Sequence, residues 1–476
     1  MKCSKTWRLK AGHLHKALLA RGIITQIARP FSTHRRAASV GNRLAKNMSF
    51  GKAVLAYSKA QERLILALSI ILYVVICCLS SISVSKVYGT FHVAYDPALV
   101  VAAFAPVFLF FIFARFSFGY FIGFYFAAMV AGYLWLSFFS DRNYDHDTAR
   151  ISAAASTVTF LLPALFISSP ITRIAAISVA AFDRMLALLF LICLVTVAVA
   201  ATYNFRLVSP GDASSLRTDP FPAVLRYLIA ITSSSVLPFL FAYLVERGAY
   251  WLAGAVLVLM LFYYPIAVSK MAFFAPVWLI VMSALSRLFG ARVAVVLSLL
   301  LPTLAGVILL FLFGDGGRLA QVAHAFFFNV NLRMSAVPSL AMDLYNDFFS
   351  KHGLTYFCQI RVLKAIVGCP YDDQLSVVML RYFPGGGAYN ASLFATEGIA
   401  SVGTVFAPIS VFVCGLVIAL GNRASSGLPA SFTLVSSAIL VQVLLNVPLT
   451  TVLLTHGGAL LFALWYLTPR EIFDQG

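Results

Sequence analysis

Four arginines, Arg318, Arg333, Arg361 and Arg381, and one carboxylate, Glu397, share a polar stretch from Asp315 to Glu397 in an otherwise apolar chain. The stretch holds six of the 17 carboxylates, six Lys or Arg and two of the eight His. Charge beside a bilayer costs free energy unless it is solvated or paired, so its concentration here marks a built site, expected outside the membrane spans. A planar guanidinium grips phosphate oxygens two at a time and keeps its charge in a partly dry site, which suits recognition of a lipid diphosphate. Snorkelling or surface ion pairing is the plainer account of any single arginine.

Glu397 stands beside Gly398 among Ala391, Ala395, Ala400 and Gly403. Small residues let helices close up, and a carboxylate desolvated between them gains the basicity a general base needs. An ion pair with one of the arginines is the alternative. Asp343, Asp347 and Lys351 recur at four-residue steps, as on a solvated, ion-paired helix face, with a carboxylate pair for glycoside chemistry as the second option. The sequence has no phosphate-binding Walker loop, Gly-rich dinucleotide turn, His-Glu-x-x-His or paired Cys-x-x-Cys, so no cofactor or metal is expected. Cys358 and Cys369 both lie in the polar stretch and would pair if that face is oxidising; the other cysteines read as packing residues.

These side chains need a membrane scaffold. With 61% hydrophobic and 11% charged residues and a mean hydropathy of +0.91, the chain is excluded from the soluble globular class and reads as an all-α polytopic membrane protein. Apolar runs near 64–84, 97–115, 118–140, 151–169, 183–203, 223–245, 248–267, 272–289, 292–313, 400–421, 428–446 and 449–467 give twelve spans. The count falls to eleven if the last pair, divided only by Asn446-Val-Pro448, is one. A helix is predicted over Pro338–His352, with an apolar face suited to the membrane surface.

The net charge of +18 is concentrated in residues 1–61, which carry 13 Lys or Arg and no acid. That segment reads as a cytoplasmic anchor on anionic lipid rather than a nucleic-acid binder. Within it, Arg29-Pro-Phe-Ser-Thr-His-Arg-Arg36 resembles a mitochondrial presequence, a start at Met48 is the favoured alternative, and no mechanistic part is assigned to residues 1–47. Alternating the spans from an inside N-terminus puts Arg115, Arg173, Arg247, Arg287, Arg292, Arg423 and Arg470 inside, and Asp96, Asp141, Asp145, Asp147, Asp212 and Asp219 outside. The expected layout is then 1–61 cytoplasmic, 62–314 as spans one to nine, 315–397 as one large outer loop, and 398–476 as the remaining spans.

The run Arg333-Met-Ser-Ala-Val-Pro-Ser-Leu340, then Tyr345-Asn-Asp-Phe-Phe-Ser350, then Asn390-Ala-Ser-Leu-Phe-Ala-Thr-Glu-Gly-Ile-Ala-Ser-Val-Gly403, resembles the Wzy-type oligosaccharide repeat-unit polymerases. The likeness covers about 70 residues closely. It departs from the family pattern in having Glu at 397, where Asp is commoner, and in the long N-terminal extension. The resemblance implies a bacterial inner-membrane enzyme, with its large loop periplasmic, that joins repeat units carried on undecaprenyl pyrophosphate into O-antigen, capsule or exopolysaccharide. Arg333 and Glu397 would be catalytic. Arg318, Arg381, Tyr345, Phe349 and Asn390 would bind substrate, with Tyr382 and Tyr389 further stacking candidates. Membrane lipids, a chain-length regulator and a flippase are the implied partners. An O-antigen ligase and a lipid-linked sugar flippase or other transporter are the competing functions.

Overall fold

The computed structural model describes residues 60–84, 96–172, 177–209, 220–314, 316–335, 337–383 and 396–473. The chain divides after Gln61 into two units, and only the second is considered below. The described residues are helical, as they must be in hydrocarbon, where every backbone N–H and C=O has to be satisfied within its own segment.

Among the described residues, ten helices are long and apolar enough to cross a membrane. They are α1 (Ala60–Val84), α2 (Asp96–Phe113), α3 (Phe118–Leu136), α4 (His146–Phe166), α5 (Val179–Tyr203), α6 (Ala223–Glu246), α7 (Tyr250–Ala267), α8 (Lys270–Phe289), α9 (Ala291–Phe313) and, after the polar stretch, a long helix over Thr396–Ser425. Between these last two lie α10 (Arg318–Phe327, continued by the π-turn Phe328–Leu332 and the single turn Arg333–Ser335), α11 (Val337–Phe349), α12 (Arg361–Val367) and α13 (Leu375–Tyr382). The Thr396–Ser425 helix is therefore α14, and it is followed by α15 (Ala430–Leu444), α16 (Leu449–Thr455) and α17 (Gly458–Leu467).

The two C-terminal spans expected from the sequence are shorter and broken. α15 stops after 15 residues at the Asn446-Val-Pro448 turn, because proline cannot continue its hydrogen-bond ladder. α16 and α17 meet at 60° across His456-Gly457, where Gly457 takes φ +80°. Among the described residues there are thus ten candidate spans, or eleven if the bent pair counts as one, against the twelve or eleven expected.

α3 is the central helix, buried along almost its whole length. α4 and α14 pack closely against it and each other through small residues. A Cβ on Gly119 would lie 2.1 Å from the Ala164 carbonyl, and one on Gly415 would lie 2.7 Å from that of Phe160. Asn422 adds directional bonds, accepting from the Gly119 N–H at 2.6 Å and donating to the Ala164 carbonyl at 2.7 Å. One end of the bundle gathers the basic side chains: Arg292 pairs with Glu62, Arg287 donates to the Val245 carbonyl, Arg423 to that of Ser169 and Arg470 to that of Ser426. The opposite end carries Asp141, Asp145 and Asp147, with Asp145 capping α4 by accepting from the Asp147 and Thr148 N–H groups.

Part of the polar stretch lies within the bundle. α10 runs back antiparallel to α9, and α11 returns against α3, so Arg318–Phe349 forms a helical hairpin set among the spans. The helix expected on the membrane surface, Pro338–His352, is α11, and its face is covered: Leu344, Tyr345 and Phe348 are core residues, and Asp343, Asn346 and Asp347 are buried beside them. Asp343 and Asp347 therefore do not form a solvated helix face.

Candidate functional site in the bundle interior

Arg333 sits at the tip of the α10–α11 hairpin. Asn331, two residues earlier, anchors the tip by donating from Nδ2 to the Thr303 carbonyl of α9 at 2.6 Å and to Ser80 Oγ of α1 at 3.3 Å. The approach depends on Gly306, where a Cβ would fall 1.7 Å from Asn331 Oδ1. Arg333 then opens into a cavity of 330 Å³ lined by Tyr125, Met129, Leu299, Gln442 and Asn446. Tyr125 and Leu299 come from the middle of α3 and α9, so the guanidinium lies at mid-bundle depth rather than above the helix ends. Arg333 is exposed to this cavity, makes no ion pair or hydrogen bond to a described residue, and no described carboxylate lines the space. A charge at that depth is expensive unless water or an anion shares the cavity.

The cavity continues past Gln442 and Asn446, which also line a neighbouring space of 520 Å³ with Arg226, Ser233, Ser234, Ser269 and His456. A π-turn at Thr232–Val236 gives α6 its polar side, with Thr232 Oγ1 2.7 Å from the Tyr263 hydroxyl. Ser235 donates to the His456 carbonyl at 2.7 Å and so holds the α16–α17 break against α6, while His456 Nδ1 is buried with no partner among the described residues. Arg226, Ser233, Ser234, Gln442, Asn446 and His456 were not singled out as site residues from the sequence. Their signal was there: amides, hydroxyls and an arginine inside apolar runs, where each polar group needs a reason.

Glu397 lies elsewhere. Gly403, at φ +79°, folds α14 into a short and a long leg, and a Cβ on Gly398 would come 2.3 Å from Ser410 Oγ. The short leg thus lies against the long one, and Glu397 enters an apolar groove of 840 Å³ lined by Leu354, Phe357, Phe406, Ile409, Cys414 and Leu453. Its carboxylate accepts the Leu449 N–H at the start of α16 and has no ion pair with a described arginine. The Arg333 cavity reaches Asn446 and the Glu397 groove begins at Leu449, so the Asn446-Val-Pro448 turn separates the two expected catalytic residues.

A third cluster closes the acidic end. Buried Asp343 accepts from the Tyr144 hydroxyl at 2.5 Å and from Ser140 Oγ at 2.8 Å. Tyr144 also meets the Tyr133 hydroxyl at 3.1 Å, and Asn346 joins Tyr133 to Thr404. Burial pushes the Asp343 carboxyl above its ordinary range, and the Tyr144 and Ser140 hydroxyls only partly offset this. Burial likewise pushes the Tyr144 phenol upward, with the nearby Tyr133 and Asp343 adding to it.

The other expected substrate residues are dispersed. Arg318 is exposed at the start of α10, roughly 22 Å along the helix axis from Arg333 at the usual rise, too far to share a ligand phosphate with it. Arg381 pairs with Asp373 at 2.5 Å in the loop region. Tyr345 and Phe349 are buried at 0% and 7% exposure, which removes them as stacking platforms and makes them core residues of the α11–α13–α14 contact. Asn390 and Tyr389 lie outside the described residues, as does the side chain of Arg361. Cys358 and Cys369 form a disulfide with Cα atoms 5.3 Å apart. Compared with known proteins, the chain matches no protein-family model, no curated protein and no solved structure.

Proposed function

We propose that the chain is a polymerase of undecaprenyl-pyrophosphate-linked oligosaccharide units, acting at the periplasmic side of a bacterial inner membrane. The observation that carries this reading is the polar cavity in the bundle interior that Arg333 enters with no carboxylate among its described lining residues. A site of that sign and depth favours an anion that arrives attached to a lipid. The sequence resemblance through Arg333, Tyr345-Asn-Asp-Phe-Phe-Ser350 and Glu397 supplies the reaction class.

In this account Arg333 holds the diphosphate of the growing chain. A hydroxyl of the incoming unit attacks the anomeric carbon; the new glycosidic C–O bond forms as the bond to the diphosphate breaks, and the electron pair leaves on the phosphate oxygen. The guanidinium stabilises that developing charge, which is the main demand when the leaving group is already good. The hydroxyl's proton passes through water, with Glu397 its final acceptor, because the Asn446-Val-Pro448 turn separates that carboxylate from the Arg333 cavity. The disulfide supports placing the 350–383 loop on an oxidising face, and the basic clustering at the opposite end supports a cytoplasmic position there.

A lipid-linked sugar translocator is the second reading, favoured by the π-turn within α6 and the bend between α16 and α17 near a mid-bundle arginine. Deleting the gene and analysing surface glycan by gel separates the candidates. Loss of a polymerase leaves single repeat units on their final acceptor. Loss of a translocator leaves lipid-linked units facing the cytoplasm, and loss of a ligase leaves full chains on carrier lipid. Long chains persisting on their final acceptor in the deletion strain would refute the polymerase.

A further inference from the structure

A further cavity, of 400 Å³, lies where segment 350–383 meets Phe348 at the end of α11. It is lined by Phe348, Tyr371, Asp372, Asp373, Arg381 and Tyr382, with Pro370 and Val378 at its edge. Tyr382 is 46% exposed, and its ring is held edge-on by Phe348 at 5.0 Å, His352 at 5.1 Å and Phe383 at 4.9 Å between centroids. Tyr371 is fixed by donating its hydroxyl to the Gly353 carbonyl at 2.7 Å, and the Cys358–Cys369 disulfide closes the loop just before it.

We infer that this cavity is a saccharide-binding subsite in which Tyr382 is the stacking platform and Asp372 and Asp373 accept hydrogen bonds from sugar hydroxyls. An aromatic face with a negative quadrupole attracts the slightly positive C–H face of a pyranose, and ionised carboxylates are acceptor-only groups that suit hydroxyl donors. The volume falls in the range of roughly 300–1,000 Å³ usual for small-ligand sites. Arg381 is already neutralised by Asp373, so two carboxylates against one guanidinium leave the cavity net negative. It therefore selects neutral over acidic sugars and is unsuited to the diphosphate expected for Arg381 from the sequence. The proposal rests on the polymerase reading only for the identity of the chain held there, the glycan being extended.

The test is binding of the full-length protein in nanodiscs to a panel of neutral and uronic-acid-containing oligosaccharides, with chain length measured in cells beside it. Saturable binding of a neutral oligosaccharide is expected, weakened about tenfold in Tyr382→Ala, kept in Tyr382→Trp and reduced in Asp372→Asn. In cells Tyr382→Ala shortens the chains without abolishing them. No binding by the unaltered protein, unchanged binding by Tyr382→Ala, or preference for the acidic sugars would overturn the subsite. Should deletion leave polymer intact while the Tyr382-dependent binding persists, the polymerase reading fails and the subsite stands.

Discussion

At the residue scale, Arg333 and Asp343 are two ionisable groups inside the bundle with opposite relations to their surroundings, the first open to a cavity and the second buried. Arg333 faces an open cavity and no described acid, so its charge is available to a ligand. Arg333→Ala is expected to abolish polymer while leaving membrane insertion and thermal stability intact. Arg333→Lys keeps the charge but loses the paired N–H geometry, and should retain a small fraction of activity. Glycan gels of complemented deletion strains read both; wild-type chains in Arg333→Ala would remove the residue from the mechanism. Asp343, in contrast, is satisfied by Tyr144 and Ser140, and its role is to hold the 137–145 connection against α11. Because burial raises its folded-state pKa, the stability it contributes is complete below about pH 4, the ordinary aspartate value, and is lost as pH rises through the raised value. Thermal midpoints of the purified protein should fall across that window, and Asp343→Asn should flatten the fall. A slope unchanged in Asp343→Asn would assign the pH dependence to other groups.

At the element scale, the hairpin of α10 and α11 places the site, and its docking depends on a glycine that touches no ligand. Gly306→Leu would displace Asn331, which lies within 1.7 Å of even the first added carbon, and push the hairpin tip away from α9. The expected result is loss of polymer comparable to Arg333→Ala together with reduced thermal stability; full activity would show that hairpin docking does not position Arg333. This arrangement was only partly legible in the sequence. The ten long spans follow from apolar runs of sufficient length, and α11 from its proline start and apolar spacing. The depth of α10 was not legible, because Arg318–Ser335 is amphipathic enough to lie on a surface and its insertion is decided by tertiary contacts, Asn331 to Thr303 and the room at Gly306. The broken C-terminal pair was foreshadowed by Asn446-Val-Pro448, but the bend at Gly457 depends on Ser235 of a distant helix gripping the His456 carbonyl.

At the scale of the whole molecule, polar groups are sorted by depth. Arg333 and Arg226 line adjoining interior cavities, Glu397 lies in a groove whose lining is otherwise mostly apolar, and the Cys358–Cys369 disulfide closes the loop beside an aromatic cleft. Arg333 and Glu397 were both visible in the chain as unusual residues, yet their separation by a three-residue turn was not, since sequence distance says nothing of which side of the Asn446-Val-Pro448 turn each one meets. The placement of segment 350–383 outside the membrane can be checked in intact cells. Cys358 and Cys369 should resist a maleimide reagent that does not cross the inner membrane until a reductant is added, and labelling before reduction would contradict a disulfide on that face.

The central claim, that Arg333 holds a lipid-linked diphosphate while a glycan is extended, is met most directly by reconstitution. Purified protein in liposomes, supplied with undecaprenyl-pyrophosphate-linked repeat units, should convert them into a ladder of longer chains and release undecaprenyl pyrophosphate, and Arg333→Gln should do neither. Unextended units with the unaltered protein, or an unchanged ladder with Arg333→Gln, would contradict the account.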